Sequence, residues 1–315
     1  MKAVEWLELL QTGNLEGFPE AFTFFLDSED EDEMYTVASG LVQLGFLNEG
    51  RQLFEKLHER LPTESILCIH LAEILLDEGE EEEAMLLLEK VPFGDDCYLN
   101  ALLLLADCYE SFDMPDVSER KMEMAYNLAP NEPVVQFAYA EILFLHGKHQ
   151  EAVSIYQKIV DDETDFNGVT VVERLAEALA LAGEYEQALS YFSRVKRFDK
   201  HLNLLFLYGF TAYHLKRFDL AREKFLLLIK SDEEYAAAYY YLGQLASFHD
   251  DFEAMLAFAQ KGMAFDNLDI GLKMIAIESN VQLGQVDKAV TLLEAIIEID
   301  PSNESALQLL AALKK

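Results

Sequence analysis

Histidine pairs, carboxylate pairs and thiols are the side chains of this 315-residue chain that could do chemistry, and each set has a spacing that can be read. His146 and His149 flank Gly147 and could at best form a weak surface metal pair. Carboxylates four residues apart, such as Glu73 and Asp77, recur in any acidic helix. Acid–base catalysis needs a cleft that drives two such groups to different pKa values, and no spacing here marks one. The three cysteines, Cys68, Cys97 and Cys108, include no CxxC pair. An odd count without that motif fits neither a disulfide framework nor a zinc site, so they read as small buried hydrophobes. No glycine-rich phosphate loop is present, because the glycines fall at helix ends. The sequence therefore predicts no enzyme, no metal and no cofactor.

The elements that would position any functional group follow a beat of 34 residues. Segments starting at Glu31, Ser65, Leu99, Pro133, Val169, Leu202, Ala236 and Ile270 superimpose, with an insertion of two near residue 165 and a deletion of one near 200, and a ninth starts at Glu304. Each holds two apolar stripes at helical spacing around a break. In the second, Cys68, Leu71, Ala72 and Leu75 precede Gly79, and Ala84, Leu88 and Val91 follow it. Small residues such as Ala72, Ala106, Ala140, Ala176, Gly209 and Gly243 let two helices approach closely, and Gly45, Gly79, Gly147, Gly183 and Gly284 end the first helix of a pair. The third segment departs: Asp113 and Ser118 replace the usual Gly and Ala, and Met114-Pro115 predicts a less regular turn. Residues 1–30, with Trp6, Leu7, Leu10, Phe18, Phe22 and Phe25, read as an atypical capping pair, 31–301 as eight repeats, and 302–315 as a capping helix or the start of a further repeat.

This grammar resembles the tetratricopeptide repeat family, best in Leu175, Ala176, Gly183, Tyr185, Ala188 and Phe192 and again in Leu242, Gly243 and Phe252. The resemblance implies an all-α, right-handed superhelical solenoid of helical hairpins, about one superhelical turn long and without strands. It also implies that positions 2, 5, 9, 12 and 13 of each first helix line a concave groove. Helical geometry agrees, since positions 2, 5, 9 and 12 share a face and 4, 7, 8 and 11 turn to neighbouring helices. Position 9 carries Glu73, Asp107, Glu141, Glu177 and Phe210; position 5 carries Ile69, Leu103, Phe137, Phe206 and Tyr240; position 12 carries Phe144 and Tyr213. The expected wall is a ladder of acids beside exposed aliphatic and aromatic residues, from repeat two to repeat six. The Lys and Asn set with which some family members clamp a C-terminal carboxylate is missing: Arg174 is the only basic residue at position 6. The acidic composition and atypical first hairpin also look like cytoplasmic tetratricopeptide proteins of low-GC Gram-positive bacteria, some linked to controlled proteolysis of a cell-wall biosynthetic enzyme.

Charge narrows the partner. A formal charge of −34 disfavours nucleic acid and anionic membranes and steers basic segments inward. Residues 1–130 hold 30 acids and 7 bases. Residues 194–230 reverse the sign, and Lys196, Arg197, Lys200, Lys216 and Arg217 form a candidate second contact. No apolar run is long enough to span a membrane, and the acidic start is unlike a signal peptide, which predicts a cytoplasmic protein. The expected function is a scaffold or adaptor holding a basic, amphipathic protein segment in the groove. The alternative is a regulatory or assembly subunit acting through its convex side or by self-association. A monomer is expected ahead of a homodimer.

Overall fold

The computed structural model describes residues 3–314 apart from 162–164, 167, 197, 199 and 200. The chain forms two compact units, residues 1–148 and 149–315. The first holds α1 (Ala3–Gln11), α2 (Phe18–Leu26), α3 (Glu31–Gln43), α4 (Leu47–Arg60), α5 (Ser65–Asp77), α6 (Glu81–Leu88), α7 (Tyr98–Ser111), α8 (Pro115–Leu128) and α9 (Pro133–Leu145). The second holds α10 (His149–Ile159), β1 (Asp165–Phe166), β2 (Val169–Thr170), α11 (Val171–Leu181), α12 (Tyr185–Phe192), α13 (Leu202–His214), α14 (Phe218–Ser231), α15 (Ala236–Ser247), α16 (Phe252–Phe265), α17 (Ile270–Gln282), α18 (Val286–Ile299) and α19 (Glu304–Leu313). The architecture is an all-α solenoid of paired helical hairpins.

First helices end by one device. The amide three residues past the helix end returns to a carbonyl five residues back: Phe46 to Leu41 (2.9 Å), Glu80 to Leu75 (2.8 Å), Gln285 to Asn280 (2.7 Å). The residue just before that amide sits in the left-handed region, where glycine carries no Cβ penalty. Asp113, Lys216 and Asp250 take that position in three hairpins, with φ of 57°, 57° and 55°. Their closing bonds are the same, Met114 to Tyr109 (2.9 Å), Arg217 to Ala212 (2.8 Å) and Asp251 to Ala246 (3.2 Å). The less regular turn expected at Met114-Pro115 is therefore not found. Pro115 opens α8, where its missing N–H would have had no helical partner. The substitution is felt in the core instead, where Ser118 is fully buried with an unpartnered hydroxyl.

Small residues set the spacing within hairpins. A Cβ on Gly209 would stand 2.8 Å from the Phe225 ring, so α13 and α14 meet at a distance only glycine permits. At the start of the chain Trp6 is 3% exposed, with its ring 5.5 Å from Phe18 and 5.1 Å from Phe25. These contacts close the end of the first core cluster.

Two features depart from a uniform helical stack. The expectation of no strand fails at one joint, where Asp165 pairs with Thr170 and Phe166 with Val169. Gly168, with φ of 85°, makes this turn, and its N–H donates to Asp165 Oδ1 (2.6 Å). Thr170 then caps α11 in a reciprocal box with Glu173. The second departure is length: α6 and α12 have 8 residues, whereas α4, α8, α14, α16 and α18 have 14.

Candidate interaction surface

In residues 1–148, position 9 carries a carboxylate in three successive hairpins, Glu73, Asp107 and Glu141. On α5, Glu73 is exposed, and its Oε2 accepts from His70 Nδ1 (3.2 Å). The opposite ring nitrogen, His70 Nε2, accepts from the Tyr35 hydroxyl of α3 (2.8 Å), so a proton on Nδ1 satisfies both bonds. Phe54 stacks on the same ring at 5.0 Å. Asp107 on α7 is open to solvent, yet desolvation, followed by the charge of Glu110, pushes its carboxyl up. Exposure and desolvation coincide where a group is open to water on one side and hemmed in by protein on its flanks. Leu103, Phe137, Glu141 and Phe144 are half-buried. Ile69 departs from expectation. It is 2% exposed and belongs to the cluster of Cys68, Ala101 and Leu105, where α7 lies against α5 and covers it.

In residues 149–315 aromatic residues gather at these positions on α13 and α15. Glu177 is half-buried and held by Arg174 (2.9 Å). Phe206, Phe210, Tyr213 and Tyr240 are half-buried and converge on Tyr241, which sequence reasoning did not single out. Ring centroids of Phe206 and Phe210 lie 5.8 Å from Tyr241, and those of Tyr213 and Tyr240 lie 5.2 Å away. Burial, with the neighbouring Tyr240, Tyr213 and Tyr185 hydroxyls, pushes Tyr241 up to about 12. His214 joins the edge of this group, 4.3 Å from Phe210 and stacked on Tyr185 at 4.8 Å. The signal available in the sequence was the run Tyr239-Tyr240-Tyr241, whose last member lies one step off the expected groove positions. Beyond the aromatics a cavity of about 470 Å³ opens between α15, α17 and α19. Its lining includes Tyr240 and Gln244 (positions 5 and 9) and Gly271, Met274, Glu278, Val281 and Gln282 (positions 2, 5, 9, 12 and 13), together with Ile275, Ile277 and Leu309.

A family model described as YpiA-like, tetratricopeptide repeats, matches residues 111–164. The TPR repeat-containing protein YpiA of Bacillus subtilis (strain 168) is 31% identical over 283 residues, which span 90% of this chain and 67% of that relative. The chain belongs to the tetratricopeptide repeat family. Two solved structures share the fold. One is the C-terminal part of a TPR repeat-containing protein from Cytophaga hutchinsonii (TM-score 0.58, 17% identity, 76% of this chain and 98% of that one). The other is PilF of Pseudomonas aeruginosa (TM-score 0.54, 17% identity, 68% of this chain and 97% of that one).

One further feature of this tetratricopeptide chain alters the sequence-based picture. His146, considered as half of a metal pair, has both ring nitrogens engaged: Nε2 with Glu110 Oε2 (3.0 Å) and Nδ1 with Glu119 Oε2 (3.1 Å). Lys148 closes on Glu119 as well. Burial opposes a charge on this ring, but the bonds to Glu119 and Glu110 outweigh it, so the His146 pKa is raised. The network ties the turns of two successive hairpins, and its histidine is not available to a metal. Among the described residues, no three or more His, Cys, Asp or Glu side chains are grouped to hold a metal ion. Likewise, no helix among the described residues is long and apolar enough to cross a membrane.

Of the candidate second contact, Lys196, Lys216 and Arg217 are exposed, Lys196 before α13 and the other two after it. Arg197 and Lys200 lie outside the described residues.

Proposed function

We propose that this protein is a non-catalytic scaffold or adaptor that holds a basic, amphipathic protein segment against the first-helix faces of its repeats. The observation that carries this reading is the half-open aromatic strip of Phe206, Phe210, Tyr213 and Tyr240. Phe206 and Tyr213 pack on one side against the core of their hairpin and stay partly open on the other, and partly exposed aromatics beside charge are the usual composition of a binding surface. The acids of the other unit, Glu73, Asp107 and Glu141, act on encounter and choice of partner. Exposed ion pairs contribute only about 0–1 kcal/mol each, whereas a buried aromatic anchor costs roughly 2 kcal/mol or more when truncated. Kinship with cytoplasmic adaptors of low-GC Gram-positive bacteria belongs to this proposal, supported by the charge of −34 and the Bacillus relative.

The test is site-specific photocrosslinking in the source cell. A benzophenone side chain at Leu103 or Phe210, on first helices, captures a discrete partner. The same group at Met124 or Leu227, exposed on the second helices α8 and α14, does not. Adducts from Met124 and Leu227 alone move the contact to the second-helix side and overturn the proposal.

A further inference from the structure

The carboxylates on the first-helix positions differ in one respect that decides what each can still bind. Glu73 is bonded to His70 and Glu177 to Arg174. Glu278, at the lip of the cavity between α15, α17 and α19, is exposed and has no hydrogen-bond or ion-pair partner among the described residues. The carboxamide ends of Gln244 and Gln282 and the hydroxyl of Tyr240 line the same cavity and are equally unengaged among the described residues. The rest of the lining is apolar, with Met274, Ile275, Ile277, Val281 and Leu309 beside Gly271. A pocket of about 470 Å³ therefore combines apolar side chains with several groups able to accept hydrogen bonds, and Glu278 gives its lining a single formal charge, negative.

We propose that this cavity is an anchoring pocket for an arginine side chain of the bound protein segment, an assignment that rests on the interaction reading above and names the residue it recognises. The match is chemical. A guanidinium brings five donors in a planar fork, which a carboxylate accepts bidentately and which two carboxamide oxygens and a tyrosine hydroxyl can extend. Its three-methylene stem suits the apolar lining of Met274 and Val281, and its flat face suits the Tyr240 ring. A carboxylate-bearing side chain is excluded by Glu278. A purely apolar one would leave the acceptors facing an occupant with no donor, which costs a buried polar group its hydrogen bonds. The volume lies within the range of side-chain and ligand pockets and leaves room for an apolar neighbour of the arginine.

The experiment uses the full chain carrying ¹³C-methyl methionine, with the Met274 resonance assigned through Met274→Leu. The probe is a blocked peptide alternating leucine and arginine; the control replaces arginine by citrulline, the neutral isostere. The Met274 methyl should shift saturably with the arginine peptide, while Met34, fully buried in the other unit, stays in place. Citrulline should weaken the response about ten-fold, and Glu278→Gln should bring the arginine peptide to the citrulline level, in keeping with the strength of charge-assisted hydrogen bonds. Unliganded Met274 shifts and the melting temperature report whether Glu278→Gln remains folded; if it does not, Gln244→Leu repeats the comparison at the neutral side of the lip. Equal affinity for the two peptides overturns the proposal. So does an unaltered response in the folded variants, or a Met274 methyl that stays put at millimolar arginine peptide. Crosslinks lost at Phe210 with an intact Met274 response would remove the wider interaction reading alone; crosslinks kept with a silent Met274 would remove only this pocket.

Discussion

The first-helix faces of residues 1–148 and of residues 149–315 use the same repeat positions and group their side chains differently. The first places Glu73 and Asp107 in solvent and ties two of its histidines to carboxylates, His70 to Glu73 and His146 to Glu110 and Glu119. The second gathers Phe206, Phe210, Tyr213, Tyr240 and Tyr241 into one cluster and leaves Glu278 open. A helical repeat fixes where side chains stand but not what they are. One fold can therefore carry a surface that acts at long range through charge and another that acts only on contact through desolvated rings.

The largest effect that sharpens this contrast is structural. Phe225 is fully buried beneath the aromatic strip, 5.1 Å from Tyr241 and 5.8 Å from Phe206. Phe225→Ala should cost about 3–5 kcal/mol by thermal or denaturant unfolding. Phe144→Ala, at a half-buried position of the other unit, should cost clearly less. Equal losses would mean that the two faces do not differ in how far their aromatics belong to the core.

The turns give a smaller effect in the opposite direction. Asp113→Gly, Lys216→Gly and Asp250→Gly should each stabilise by about 0.5–1 kcal/mol, because the left-handed penalty of roughly 1–2 kcal/mol outweighs the entropy glycine adds to the unfolded chain. Lys216 should gain most, since aspartate tolerates that conformation better. A destabilised Lys216→Gly in denaturant unfolding would show that its side chain is used elsewhere.

Smaller again is the pH dependence of the His146 network. With a folded-state pKa raised above the ordinary histidine value of about 6.5, the ring contributes stability fully present below that value. This stability is lost as pH rises through the higher folded value. The stability difference between the parent chain and His146→Gln should therefore shrink from mildly acidic to mildly alkaline pH. Glu73→Gln gives the smallest effect, within about 1 kcal/mol of stability, because its bond to His70 is exposed. A difference that grows with pH for His146 would contradict the assigned geometry.

The hairpin architecture was legible because its determinants are local: a glycine where the chain must turn left-handed, an alanine where two helices touch, an apolar stripe between. Asp113 shows the limit of that reading, since the turn tolerates aspartate and closes with the same bond. Ile69 shows another. It is buried in a cluster that includes Ala101 and Leu105 of the next repeat, so its burial depends on how α7 packs, which its own segment does not encode. The early ends of α6 and α12 were hidden because apolar residues keep helical spacing beyond them, at Val91 and Val195. In the first case Pro92 disfavours helix at Val91, so the helix stops while the pattern continues. Of the candidate surface, the acids could be found by their repeat position. The convergence on Tyr241 and the open cavity depend on side-chain packing between repeats, which no single segment encodes.

The central claim is a division of labour between charge and aromatic contact, and salt separates the two most directly. The measurement is the affinity of the crosslinked partner, once purified, for the parent chain, Glu73→Lys/Asp107→Lys and Phe210→Ala at low and high ionic strength, each variant first checked by its unfolding transition. The account predicts that charge reversal weakens binding strongly at low salt and little at high salt, because attraction between exposed charges is screened beyond about 8 Å at physiological ionic strength. Phe210→Ala should weaken it by a similar factor at both. An aromatic variant that binds like the parent chain, or a charge reversal whose effect ignores salt, would contradict it.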